Sequence, residues 1–305
     1  MNRNFCVVMF LVAFISGCNN TEQKNPEMET FTHGKVSIAV DNEISFLISH
    51  NLKQYSNQFP EVQLTEHAVN ARAAMGELFA GKTRAIVVAR GYMHDEDSLM
   101  KAHHLPIHKS FHIATDALVF FTRRDFPSDT ISKSTLTEVF SKRGSIKASL
   151  KQLSHEPVLH IPIPSSSVIS NLIEYCGTSN KLNCGLSMHY YSTSDSVQRA
   201  VLTDNNSIGV GYLSQIVNKQ NEFKMLAVCY TDSTGSRVTK KVHQSMVYLN
   251  IYPYPVKVMG YLLEDIRNLP FGILSFLAVE KEPQKSFLDA GIVPAFAKIN
   301  VYEEE

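Results

Sequence analysis

Five consecutive apolar residues, Ala85–Ala89 (AIVVA), call for burial on both faces, and that requirement constrains the chain more than any other feature. Such a strand belongs inside a sheet with helices on each side. Val36–Val40 (VSIAV) predicts a second short strand. After it, Ile44, Leu47, Ile48, Leu52 and Tyr55 recur at helical spacing, and Phe59-Pro60 ends that helix. Val62–Leu64 is extended. Ala71, Ala74, Met75, Leu78 and Phe79 form another amphipathic stripe, stopped by Gly81. Strand, helix, strand, helix, strand is the pattern of an α/β fold with a parallel sheet.

A long extended stretch is expected next, centred on Asp116–Thr122 (DALVFFT), then a short helix marked by Leu136, Val139 and Phe140. His160–Pro164 predicts a strand that runs into Ser165-Ser166-Ser167. Val168, Ile169, Leu172, Ile173 and Cys176 then share a helical face. Ser194-Asp195 opens a further helix, and Ser207–Tyr212 (SIGVGY) is a strand. Thr231–Lys241 is polar and reads as a connection. Pro255–Leu263 returns as a strand, with helices near Ile273–Val279 and Pro283–Ala290. The middle block therefore looks like a second α/β unit.

The 305 residues are 44% hydrophobic and 19% charged, enough to bury a large core. Lys+Arg and Asp+Glu both number 29, and this zero balance argues against a partner bound through nucleic-acid phosphates. The front end is distinctive. In Met1–Cys18, Arg3 precedes an apolar run from Phe5 to Ile15, too short to span a bilayer but laid out as a secretory signal. Ile15-Ser16-Gly17-Cys18 resembles the bacterial lipoprotein box, which implies cleavage after residue 17 and a diacylglycerol on Cys18. Residues 18–32 then form a polar, lipidated tether. Export to the periplasm or cell exterior leaves Cys176, Cys184 and Cys229. Cys176 and Cys184 can close a short disulfide loop there, or all three can be buried thiols.

Four segments, in order, carry a likeness to a known family: Gly81–Arg90 (GKTRAIVVAR), Asp116–Phe121 (DALVFF), Leu136–Ser141 (LTEVFS) and Asn206–Tyr212 (NSIGVGY). The chain resembles the type II periplasmic solute-binding proteins, and among them the phosphate-binding proteins of ABC transporters, as a divergent lipoprotein branch. The resemblance implies a two-lobed α/β fold with an interlobe cleft. One lobe would hold residues 33–118 and 248–305, the other residues 119–247. It implies a monomer that captures a small oxyanion, most simply phosphate, for a membrane permease, with no cofactor and no catalysis. The alternative is an accessory or interaction protein that keeps the fold with an eroded anion site.

A dehydrated phosphate needs donors aimed at its oxygens. Ser165, Ser166 and Ser167 before a helix supply hydroxyls and amides; Arg90 resembles the family's oxyanion-pairing arginine, its alternative being a surface or interlobe salt bridge. Asn42 and Arg72 occupy the two remaining loops. Those loops depart from the family. Its Gly-Ser-Thr-rich first loop is here Val40-Asp41-Asn42-Glu43, and its Ser-Gly-rich second loop is Asn70-Ala71-Arg72-Ala73-Ala74. A carboxylate ~4 Å from the anion would cost about 1 kcal/mol in water-like surroundings and about 4 kcal/mol at an effective dielectric near 20. Asp116 reads as a hinge or structural residue. His104, His108 and His112 share a face only if extended, which separates the outer two by about 27 Å, so no metal site is expected. There is no G-x-S-x-G, P-loop or H-E-x-x-H.

The lipid anchor is directly testable. Radiolabelled palmitate fed to expressing cells is expected to label the wild-type chain and to be lost in Cys18→Ala.

Overall fold

The computed structural model describes residues 29–142, 144–177, 182 and 184–296; the signal segment, Cys18 and the tether up to residue 28 lie outside the described residues. The chain begins with β1 (Gly34–Asp41), α1 (Ser45–Gln58), β2 (Val62–Val69), α2 (Ala71–Phe79) and β3 (Ala85–Val88). β1 lies between β2 and β3, parallel to both. Alternation along β1 sends Val36, Ile38 and Val40 into the main core. Ala39 faces the other way and packs with Met75, Leu78, Ile86 and Val88 beneath α2. Asn70 starts α2 by accepting the amide of Ala73 at 3.0 Å.

Residues 94–102, for which the sequence pattern gave no helix, form α3 (His94–Ala102). Its first turn carries Asp95, Glu96 and Asp97, where the helix dipole favours acids, and Glu96 Oε2 accepts the Met93 amide at 2.9 Å. Its buried residues are only Glu96 and Met100, so no apolar stripe announces it.

Next come β4 (Lys109–Arg123), β5 (Thr130–Ser132), α4 (Lys133–Lys142), α5 (Ile146–Ser149), β6 (Val158–Pro162), α6 (Ser167–Cys176), β7 (Met188–Tyr191) and α7 (Ser194–Thr203). They are followed by β8 (Ser207–Tyr212), α8 (Leu213–Ile216), β9 (Phe223–Met225), β10 (Ala227–Thr231), β11 (Arg237–Lys240) and α9 (Gln244–Tyr248). The polar stretch 231–241 is thus half strand: β11 folds back antiparallel on β10 through a turn at Gly235, whose φ is +83°. The chain returns with β12 (Pro255–Leu262), α10 (Leu269–Val279), α11 (Lys281–Asp289) and β13 (Val293–Pro294).

The main sheet runs β2-β1-β3-β12-β4-β8-β6-β7, and β4 is its spine. Residues 109–117 of β4 pair antiparallel with β12, and from Leu118 onward the strand pairs with β8 and β9. One strand therefore belongs to both sheet halves, each with its own covering helices. A small second sheet, β11-β10-β5, flanks the later half.

The disulfide expectation is corrected: Cys176, Cys184 and Cys229 are free thiols. Cys176 is fully buried in the core beside the hydroxyl of Tyr254, the environment of an apolar packing residue.

β8 is buried along its whole length, and its glycines admit the ring of Phe121 from β4. A Cβ on Gly209 would lie 2.4 Å from Phe121 Cζ and 2.8 Å from Val201 Cγ2. Gly209→Ala is therefore expected to lower stability by roughly 1–3 kcal/mol through overpacking, read as a lower urea midpoint at unchanged slope.

Candidate functional site at the lobe junction

β1 and β3 end side by side, and the loops after them meet the start of α6 and the β8–α8 corner. At the end of β1, Asp41 is fully buried. Its Oδ1 accepts the Glu43 amide and its Oδ2 the Ala89 amide, both at 3.2 Å. Burial outweighs these bonds and holds the Asp41 carboxyl above its usual range. Glu43, 2% exposed, is pushed up to about 7 by burial and by the neighbouring Asp41.

Arg90, one residue beyond Ala89, is also 2% exposed. Its Nη1 and Nη2 donate to the two oxygens of Glu96 at 2.6 and 2.7 Å, a bidentate buried pair. Nη1 also donates to Gly91 O and Nη2 to Ala71 O, which ties the start of α2 to the end of β3. Arg90 Nε, by contrast, is buried without a hydrogen-bond partner.

The serine triplet comes to the same junction. Ser166 caps α6 by accepting the Ile169 amide at 3.2 Å. The Ser165 carbonyl accepts the backbone N–H of Arg72 at 3.3 Å, so the start of α2 touches the start of α6. Ser167 Oγ lies beside the Asp41 carboxylate and the Tyr212 hydroxyl, buried, without a well-aligned hydrogen bond. The side chain of Arg72 turns outward, half exposed, to Asp95 at 2.6 Å. Asn42 lines a groove of about 500 Å³ between α1, α7 and α8, together with Glu43, Ser45, Ser194 and Lys219. Of the six residues expected at a ligand site, Arg90, Ser165, Ser166 and Ser167 gather at the junction. Arg72 contributes there through its backbone, and Asn42 sits on the groove side.

Two further residues complete the junction, and sequence patterning did not single them out. Asn171 Nδ2 donates to Ala89 O at 2.7 Å and to the Tyr212 hydroxyl at 2.9 Å. Gln215 Nε2 donates to Glu43 O at 2.9 Å and Glu43 Oε2 at 3.1 Å. Each crosses from the later sheet half to the earlier one. Asn171 is one helical turn past Ser167 on α6, and that spacing is the only sequence signal that pointed to it. Asp116, read as structural, sits where β4 changes partners. It accepts Ser214 N at 3.2 Å and Ser214 Oγ at 2.5 Å, which fastens α8 to the strand, and burial raises it to about 6.

The order of strands and the shared β4 decide the architecture. The chain has the type II periplasmic-binding-protein fold. A protein from Clostridium perfringens solved with bound phosphate, assigned to the substrate-binding proteins of phosphate ABC transporters, aligns at TM-score 0.69 and 13% identity over 86% of this chain and 99% of that one. An ABC-type phosphate transport receptor from Vibrio cholerae aligns at 0.65 and 12% identity over 86% and 100%. The fold also serves regulators: the CcmR regulatory domain of Synechocystis, in complex with 2-PG, aligns at 0.53 and 12% identity over 82% and 99%. No protein-family model matches the chain, and no curated protein sequence does. At these identities the likeness establishes architecture and leaves function to the site itself. These structural neighbours are binding proteins rather than enzymes. Among the described residues, no helix is long and apolar enough to cross a membrane, and no group of His, Cys, Asp or Glu is placed to hold a metal ion.

The acids at the junction have a measurable signature. Between the ordinary carboxyl value of 4.5 and about 7, the folded state holds a proton on Glu43 that the unfolded chain has released. Stability therefore falls as pH rises through this window, and Asp41 and Asp116 add slopes of the same sign. Glu43→Gln should match wild type near pH 4.5 and be more stable at pH 8 by roughly 1–3 kcal/mol, measured by urea unfolding at both pH values.

Proposed function

We propose that this protein is a lipid-anchored, extracytoplasmic solute-binding protein that captures a small oxyanion, phosphate foremost, between its lobes for an ABC transporter. The anchor would be Cys18 and the tether residues 18–32. The lobes would comprise residues 33–118 with 248–305, and residues 119–247. One observation carries the reading: the N-termini of α2 and α6 meet beside two buried polar groups that make no aligned hydrogen bond, Arg90 Nε and, next to Asp41 and Tyr212, Ser167 Oγ. Helix amides, a hydroxyl and a guanidinium N–H are the donors an oxyanion needs.

The acids restrict which anion fits. With Glu96 closing the Arg90 fork, Asp41 and Glu43 leave the junction short of positive charge. A fully deprotonated anion would be repelled. An anion that keeps its own protons, as phosphate does near neutral pH and sulfate does not, can donate a hydroxyl to a carboxylate that only accepts. The groove of about 500 Å³ beside Glu43 would be its way in.

A second reading has its own observation. Asn171, Gln215 and the Arg72 amide bond directly from one half to the other, using groups a ligand would otherwise engage. That favours an accessory or interaction protein holding the lobes closed by itself.

Calorimetric titration separates the two. Micromolar heat with phosphate and none with sulfate, weakened at least tenfold by Ser167→Ala, is expected of the receptor. Ser167 Oγ has no aligned bond in the folded chain, so this variant should fold normally. An absence of heat with every small anion selects the accessory role.

A further inference from the structure

On the face of the sheet covered by α2, away from the junction, three side chains from three elements form a relay. Ser37 Oγ on β1 lies 3.2 Å from His67 Nδ1 on β2. His67 Nε2 lies 2.7 Å from Glu77 Oε2 on α2. The protons follow from valence. A carboxylate only accepts, so Nε2 of the neutral imidazole carries the hydrogen. Nδ1 then presents its lone pair, and Ser37 must be the donor. This is the order nucleophile, base, orienting carboxylate.

Accessibility and rigidity fit the same use. Ser37 is exposed, and the His67 and Glu77 side chains are 37% and 27% exposed, so a small molecule can reach the hydroxyl. Both strands are held in register over eight residue pairs, and Thr83 Oγ1 bonds the Ser37 carbonyl at 3.0 Å. Strand alternation puts the exposed Lys35 on the same face, two residues before Ser37.

We propose that Ser37 is a nucleophile, primed by His67 and oriented through Glu77, that accepts the acyl group of small esters. Ser37 Oγ bonds to the ester carbonyl carbon while its proton passes to His67 Nδ1. The tetrahedral adduct expels the alkoxide, which leaves as the alcohol with that proton. Water then attacks the acyl-serine, with His67 again taking and returning a proton, and releases the carboxylic acid. The net reaction is ester plus water to acid plus alcohol. His67 is a catalytic residue here, and Glu77 a positioning residue.

The test uses the full-length chain and p-nitrophenyl acetate. The expected result is p-nitrophenolate release above the buffer rate. Ser37→Ala should return it to the buffer rate and His67→Ala should lower it about 100-fold or more. Glu77→Gln should lower it at least tenfold at unchanged melting temperature, because an amide can hold the wrong tautomer. Independently of variants, a fluorophosphonate probe should leave its adduct on Ser37 in peptide mass spectrometry. A wild-type rate equal to buffer, a rate that survives Ser37→Ala, or an adduct confined to other residues overturns the proposal. Phosphate binding is unaffected by any of these outcomes.

Discussion

A guanidinium withdrawn from water must be neutralised where it stands, and the arrangement that neutralises Arg90 organises the junction. Glu96 takes both terminal nitrogens, and to do so it must sit in the first turn of α3 with its second duty, the Met93 amide, already met. The same arginine holds the carbonyl that opens α2. The end of β3, the start of α2 and the start of α3 are thereby fixed as one unit. Removing one partner of such a pair leaves an isolated buried charge, at a cost of about 3–5 kcal/mol. The pair also shapes the electrostatics: Arg90 lowers the Asp41 carboxyl a little, but with its fork taken by Glu96 burial still outweighs it.

That balance separates the site from a simple phosphate cradle. Glycine-serine loops present amides and hydroxyls with no charge of their own, whereas Asp41 and Glu43 bring acceptors that must stay protonated or find donors. Asp41 finds backbone amides, and Glu43 finds Gln215. For the proposed receptor, carboxyls that discourage a dianion would favour a hydroxyl donor, so charge and proton content together would set what the junction holds. Structural likeness at 12 to 13% identity, shared with both phosphate receptors and a regulatory domain, fits a fold whose ligand chemistry is written locally.

Chain direction explains how the halves communicate. β4 contributes to both, and Asp116 sits two residues before Leu118, where its partner changes from β12 to β8. Through Ser214 it couples α8, and so Gln215 and Glu43, to that crossover.

The amino-acid sequence by itself determined the α/β architecture. Periodicity reports burial, and AIVVA, VSIAV and SIGVGY have no stable place other than inside a covered sheet. Hydroxyls before a helix are a local pattern and marked the serine triplet, whereas Arg90 was marked by the likeness to the solute-binding family. α3 escaped because an acid-rich helix with little apolar face carries no periodicity. Glu96, Asn171 and Gln215 escaped because pairing is a property of distance in space, and Asn171 meets Ala89 across 82 positions of chain. The relay of Ser37, His67 and Glu77 was equally silent, since parallel strand register and helix packing alone bring the three together. Only the tertiary structure decided that Arg90 is already paired and that the cysteines stay apart, since both depend on which side chains share a buried volume.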